Sequence, residues 1–385
     1  MFQAACAPGF RKVKGLKEIK KMINSYYNPV KSAIGQGAIQ KLKDVTQGKA
    51  VFLVCFPEAA SLGLLSKIQG LLGNQLVGIL DQISPNPDVS SLQTQYDRFW
   101  ETYGNKVDFI LAVGGGSVID TAKALMVATP QRKFSQLVSY LSDGKDFPVD
   151  HFKPLIAVPT TAGTGSEVTP WATIWDQEAG KKYSLHLDET WPSWAIIDPE
   201  LMLTLPRSVT LQSGLDALSH ALEAIWNRNS NPISDVFAIS AAKDILECLP
   251  RLLESLDNVD HRLVIARAAL KAGYAFSNTK TALAHSISYE MTLKYGLPHG
   301  IACSFTLPFV MQKAIGVDAE RDHVLAQIFP ISLTDAPAYL DRFLRNIGVE
   351  TDFSAYGLAA TEALEMVRQA LDGVRGRNFV GALSS

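Results

Sequence analysis

Asp216 and His220 stand four residues apart in GLDALSHALEAIW, an apolar-periodic run that predicts a helix with both side chains on one face. A carboxylate oxygen and an imidazole nitrogen at that spacing can grip one divalent cation. Further along, ALAHSISYEMTLKYGLPHG carries His285 and His299, the natural remaining ligands. An isolated Asp/His pair on a helix is more often a simple hydrogen-bonded pair. Here three of the chain's seven histidines gather in one region with an aspartate. Their neighbours are mostly apolar or small, and an ionised Asp216 among them is costly without a partner. One Asp and three neutral His make an N/O donor set that suits Fe(II), Zn(II) or another first-row cation rather than Mg or Ca.

A second constellation has the chemistry of an anion site. VDFILAV reads as a strand running straight into Gly114, Gly115, Gly116 and Ser117, then into a helix, VIDTAKALMVA. Glycines let a backbone approach an anion closely, and Ser117 is placed to cap a helix whose free N–H groups point at a phosphate. The turn is not the dinucleotide GxGxxG pattern, and its position late in the sheet argues against an ordinary first Rossmann turn. Asp120, one turn into the helix, suits either cofactor hydroxyls or the positive helix end. PLIAVPT then delivers a second hydroxyl-rich strand end, where Thr160, Thr161 and Thr164 can donate to a pyrophosphate or ribose. Two such strand ends in one domain point to a nucleotide.

The elements that must position these groups have two textures. AVFLVCF and LVGILD are apolar runs of strand length separated by the helix-periodic SLGLLSKIQGLLG, a parallel βαβ unit. A helix over residues 89 to 103, the VDFILAV strand, a polar connection and the PLIAVPT strand follow. An antiparallel pair (ATIWD and KKYSLH) and a last strand in WAIIDPELMLTLP complete this half. Ahead of it, LKEIKKMINSY predicts a short amphipathic helix and Gly35-Gln-Gly37 a tight turn opening another. From about Pro206 onward the periodicity is helical. At 385 residues two domains are the default. The expected division is an α/β cofactor-binding domain over 1–205 and an all-helical metal-binding and substrate domain over 206–385.

Composition bounds the partners. A net charge of -2 leaves no basic surface for nucleic acid, and no apolar run is long enough to span a bilayer. Cys6, Cys55, Cys248 and Cys303 are widely separated and lack metal-ligand or redox spacing, which fits a reducing compartment. No signal peptide is evident, so the expected location is cytoplasmic.

GGGSVIDTAK, AVPTTAGTGSEVT, AIIDPELMLTLP, the DALSHALE core and a His fourteen residues ahead of the His in PHG together resemble the iron-containing (group III) alcohol dehydrogenase family. The resemblance runs in order over nearly the whole chain from about Asn28. It implies a dehydroquinate synthase-like arrangement, with metal and nicotinamide meeting in the cleft between the two domains. It carries the metal ligands onto Asp216, His220, His285 and His299, with Fe(II) ahead of Zn(II). Phosphate binding falls on Gly114, Gly115 and Gly116 with Ser117 and Asp120, and the second loop on Thr160, Thr161 and Thr164. A cofactor-approaching lysine falls on Lys182. The implied reaction is reversible hydride transfer between NAD(P)(H) and a small primary alcohol or aldehyde, by a homodimer.

Departures from the family pattern bear on the substrate. A second His expected four residues after His285 is replaced by Tyr289, which would face the cleft beside that ligand and can donate a hydrogen bond, but is a poor substitute as a base. Phe56 stands where NAD-preferring members carry Asp, with Glu58 close by, so NAD(H) is favoured over NADP(H) only modestly. HLDETWPSW brings Trp191 and Trp194 near the domain junction. RGRNFVGAL replaces the usual ending, its Arg375 and Arg377 either reaching the cleft or lying at the surface. The alternative functions are a sugar-phosphate cyclase or polyol dehydrogenase-like enzyme, and a reductase for an anionic aldehyde such as phosphonoacetaldehyde.

Overall fold

Alternate residues of the central strands point into different cores, and this decides how the N-terminal half is layered. The computed structural model describes residues 24–149 and 151–383. The helix expected at LKEIKKMINSY falls almost wholly outside them. The strands are β1 (Lys31–Ile34), β2 (Val51–Cys55), β3 (Leu76–Leu80), β4 (Phe109–Gly114), β5 (Leu155–Pro159), β6 (Trp171–Asp176), β7 (Lys181–His186) and β8 (Trp194–Ile197). Six make one parallel sheet in the order β1-β8-β5-β4-β2-β3, while β6 and β7 pair as an antiparallel ribbon. Val51, Leu53 and Cys55 pack with Ile39, Leu64 and Ile68 on one face. Phe52 and Val54 pack with Leu92, Phe99 and Trp100 on the other. Both faces are covered, which is why these strands read as unbroken apolar runs rather than alternating ones.

The covering helices are α1 (Leu42–Thr46), α2 (Leu64–Leu72), α3 (Val89–Thr102), α4 (Gly116–Met126) and α5 (Phe134–Asp143). The last corrects an expectation: α5 forms inside what reads as a polar connection. Its Phe134, Leu137, Val138 and Leu141 recur at helical spacing and pack onto the α3 side of the sheet. Because β4 and β5 are parallel neighbours, with Gly114 opposite Pro159, the glycine turn and the TTAGTG loop leave the same sheet end side by side. Loops at the carboxyl ends of such strands form the usual ligand crevice.

The second half is helical: α6 (Arg207–Ile225), α7 (Pro232–Glu254), α8 (Val259–Thr279), α9 (Leu283–Tyr295), α10 (His299–Ala302), α11 (Leu307–Ala314), α12 (Ala319–Ala326), α13 (Ala336–Asn346) and α14 (Ala360–Asp372). The axis of this half is α6, in which every side chain from Leu215 to Ile225 is buried. A helix enclosed on all sides must find partners for its polar residues. On α6 those are Asp216, Ser219, His220 and Glu223.

Candidate active site

Asp216 lies at the centre of an imidazole ring cluster. Its Oδ1 is 3.4 Å from His285 Nε2, 3.8 Å from His220 Nδ1 and 3.9 Å from His299 Nε2. These separations are too long for good hydrogen bonds in most cases, but they match ligand atoms each about 2.0–2.2 Å from one shared ion. His285 Nε2 and His220 Nδ1 are buried without a hydrogen-bond partner. Burial pushes His220 down to about 4 and His299 down to about 3, so both rings are neutral near pH 7 with free lone pairs. Burial opposes the charge on Asp216, yet the surrounding groups, His220 foremost, hold its pKa well below the usual carboxylate value. An ionised carboxylate and the neutral rings of His220 and His299 fit a divalent cation; burial opposes charge on His285, yet Glu223 and Asp216 raise its pKa. His220 is further held between two rings, stacked on Phe276 at 4.0 Å and on His285 at 4.5 Å.

Two participants were given no role by the sequence analysis. Glu223, buried and one turn beyond His220 on α6, accepts from the N–H groups of Ala284 and His285 with Oε1 and contacts His285 Nδ1 with Oε2 at 2.6 Å. One carboxylate thereby satisfies free amides at the start of α9 and fixes the His285 tautomer, with Nδ1–H on Glu223 and Nε2 toward Asp216. The DALSHALE run contained Glu223, but its partners lie on another helix. The other is Cys303. Its thiol donates to Asp216 Oδ1 at 3.5 Å, and its sulfur joins Asp216, His285 and His299 as one group with potential ligand atoms within 4.8 Å. The expectation that no cysteine has metal-ligand spacing is corrected here: Cys303 follows His299 by four residues and shares its side of the chain. Burial keeps this thiol protonated. Ser219 Oγ donates to the Cys303 carbonyl at 2.9 Å, tying this turn to α6.

The cluster opens into a cleft of about 820 Å³ between the two halves of the chain. Of the nucleotide candidates, Gly115, Gly116, Ser117, Asp120, Thr161, Thr164 and Lys182 line it. Gly114 and Thr160 stand behind the wall, joined by a backbone hydrogen bond of 3.0 Å. The glycine turn and the threonine loop touch: a Cβ on Gly116 would come within 2.7 Å of Thr164. Two expectations change. Ser117 does not cap α4; Gly115 occupies the cap, and Ser117 Oγ instead accepts from Asn86 N–H at 3.1 Å, anchoring the neighbouring loop. Asp120 serves neither alternative alone, since its carboxylate accepts from Ser166 Oγ at 2.6 Å and Thr173 N–H at 2.8 Å, joining α4 to the loop and ribbon.

Tyr289 also lines the cleft, one turn beyond His285. Lys182 Nζ lies 3.9 Å from its ring centroid and the Arg375 guanidinium 4.8 Å away. Arg375 therefore reaches the cleft, whereas Arg377 is exposed outside it. Burial pushes the Tyr289 hydroxyl up to about 12 despite Arg375, so it is a donor rather than a base at neutral pH. Trp191 sits at the junction, edge-on to Tyr27, whereas Trp194, expected beside it, lies on β8 and packs with the α1 and α2 side of the sheet.

This geometry coincides with a family match over both halves. Residues 29–199 match the iron-containing alcohol dehydrogenase family, and residues 210–382 match the Fe-containing alcohol dehydrogenase family, C-terminal. The chain belongs to the iron-containing alcohol dehydrogenases. Within that family it is 31% identical over 368 residues to the NAD-dependent methanol dehydrogenase of Bacillus methanolicus, covering 91% of this chain and 94% of the relative. Sulfoacetaldehyde reductase from Bifidobacterium kashiwanohense, solved in complex with NAD+, superposes with a TM-score of 0.85 at 28% identity, covering 93% of this chain and 94% of that one. A 1,3-propanediol oxidoreductase superposes with a TM-score of 0.83 at 27% identity, covering 93% and 96%. The family's α/β half and metal-bearing helical half are both present in this dehydrogenase.

Proposed function

We propose that this iron-containing alcohol dehydrogenase reversibly transfers hydride between NAD(H) and a small primary alcohol or its aldehyde, with the reacting oxygen beside Asp216, His220, His285 and His299. The observation that carries this reading is the set of bare imidazole nitrogens around Asp216, opening into the same cleft as the glycine turn. A bound cation, Fe(II) in the first place and Zn(II) as the alternative, supplies Lewis acidity to the substrate oxygen, and the nicotinamide supplies the hydride. The chain's own residues bind and orient. The α4 amides after Gly115 face the pyrophosphate, and Thr161 and Thr164 offer hydroxyls to it or to a ribose. Phe276, stacked on His220, keeps water from that side of the cluster. Tyr289 stays protonated and donates to the substrate oxygen.

NAD(H) is favoured over NADP(H). The Bacillus methanolicus relative is NAD-dependent and the Bifidobacterium reductase holds NAD+. In this chain Glu58 offers a carboxylate on the cleft rim that opposes a 2′-phosphate, but Phe56 replaces a dedicated one. The expected preference is within about tenfold, or ~1.4 kcal/mol. A division near residue 205, between Ile197 at the end of the sheet and Arg207 at the start of α6, belongs to the same proposal. So does a cytoplasmic homodimer pairing through β1, an edge strand with exposed residues. No helix among the described residues is long and apolar enough to cross a membrane. The test is NADH oxidation by anaerobically metal-loaded protein against a panel of aldehydes. The proposal expects turnover that chelation abolishes and metal restores; turnover indifferent to chelation contradicts it.

A further inference from the structure

Lys182 and Arg375 are both directed at one aromatic ring, at 3.9 and 4.8 Å, and Lys182 is also 5.1 Å from the Trp175 ring. Among the described residues neither side chain has a hydrogen bond or a carboxylate within ion-pair distance. Elsewhere the fold treats enclosed cations differently. Arg321 Nη1 donates to both carboxylate oxygens of Asp235 at 2.8 and 2.9 Å, and the buried Lys123 donates to Ser166 Oγ and the Trp171 carbonyl. A like-charged pair held in a cleft without acceptors is electrostatically unfavourable until an anion joins it. Burial first, and Arg375 second, push Lys182 down to about 7, against the opposing pull of the Asp120 and Asp216 carboxylates.

The arrangement is built rather than incidental. Gly376 packs so closely on Ala370 and Leu371 that a Cβ has no room there, which sets the turn carrying Arg375. The Asn378 amide donates to the Thr281 carbonyl at 2.9 Å, and Arg228 N–H donates to the Asn378 carbonyl at 2.8 Å. Tyr289, the ring that both cations approach, follows His285 by four residues, about 6 Å along the helix axis.

We propose that Arg375 and Lys182 form a head-group subsite for the anionic end of a short aldehyde, with a phosphonate or sulfonate one carbon removed from a carbonyl that faces Asp216. This rests on the dehydrogenase reading above and narrows its substrate. The reaction balances as aldehyde, NADH and one proton giving primary alcohol and NAD+, hydride going to the carbonyl carbon and the proton to its oxygen. Arg375 supplies a permanent charge and a planar donor fork suited to two oxyanion oxygens. Lys182, placed above among the cofactor candidates, adds a second charge when the bound anion favours its protonated form, as a dianionic phosphonate does more strongly than a monoanionic sulfonate.

Two measurements test this on metal-loaded protein. The first is kcat/KM with NADH for phosphonoacetaldehyde, sulfoacetaldehyde and propanal, in the wild type, Arg375→Gln and Arg375→Lys. The second is calorimetric binding of ethylphosphonate, which has the head group and no carbonyl, at saturating NADH. The expected wild-type preference for the anionic aldehydes over propanal is about a hundredfold, and Arg375→Gln lowers that ratio about thirtyfold, as removal of one partner from a desolvated charge contact does. The loss falls mainly in KM, Arg375→Lys lies between, and ethylphosphonate affinity drops in parallel. Propanal reduced as efficiently as the anions by the wild type sinks the subsite and leaves the dehydrogenase reading intact. NADH affinity falling as steeply as ethylphosphonate affinity in Arg375→Gln also overturns it, assigning the cation to the cofactor. With no aldehyde reduced at all, the dehydrogenase reading fails separately, and absence of ethylphosphonate binding then removes the subsite too.

Discussion

His285, proposed above as a ligand, is oriented by Glu223, and that dependence can be measured apart from catalysis. Glu223→Gln keeps an oxygen for the amides of Ala284 and His285 but removes the carboxylate from Nδ1. The expected result is metal affinity about ten- to a hundredfold lower, read by competition with a chromogenic chelator. Unchanged affinity would mean that the 2.6 Å contact does not orient the ring. Tyr289→Phe addresses the other polar group beside the cluster: turnover should fall while bound metal and melting temperature hold, and a silent variant would make Tyr289 a packing aromatic. At this scale Asp216 and His220 were legible because one helix carries both at i,i+4. Glu223 was not, since its hydrogen-bond partners lie 61 and 62 residues along the chain. Cys303 was readable only by extending the same i,i+4 rule from His299.

Elements decide where the cofactor can approach. The glycine turn and the threonine loop lie against each other, so a side chain on the turn fills the space proposed for the phosphates. A Cβ at Gly115 already stands 3.3 Å from Thr161, and valine adds two methyl groups beyond that Cβ. Gly115→Val should therefore weaken NADH binding at least tenfold, about 1.4 kcal/mol, in a fluorescence titration with an unchanged circular dichroism spectrum. Wild-type affinity in a folded variant would place the phosphates elsewhere. The strands and long helices were readable because β2, β4 and β5 are apolar on both faces and α6 is buried all round. The α5 helix was hidden by polar neighbours, its four apolar residues forming only a narrow stripe. Ser117 was misplaced as a cap because the chain turns one residue earlier than its hydroxyl suggests, using Gly115.

At the scale of the molecule, the α/β half brings the loops after β4 and β5 to one wall of the cleft, and the helical half brings α6, α9 and α10 to the other. The change from strand to helix texture near Pro206 made the two halves legible. Their mutual fit was not: Gly163 against Ser213 and Gly165 against Phe276 are contacts between segments far apart in sequence, and no local period announces them. The same holds for Lys182, on β7 of the α/β half, and Arg375, near the end of the helical half, which approach one ring. The central claim is that the Asp216, His220, His285 and His299 cluster holds the ion on which turnover depends. Plasma emission spectrometry and NADH turnover, measured together on wild type and His285→Ala reconstituted without oxygen, test it most directly. The prediction is about one Fe(II) or Zn(II) per wild-type chain and loss of both metal and turnover in the variant, because removing one ligand opens the shell around the ion. Equal metal content and equal turnover in the two proteins would contradict the account.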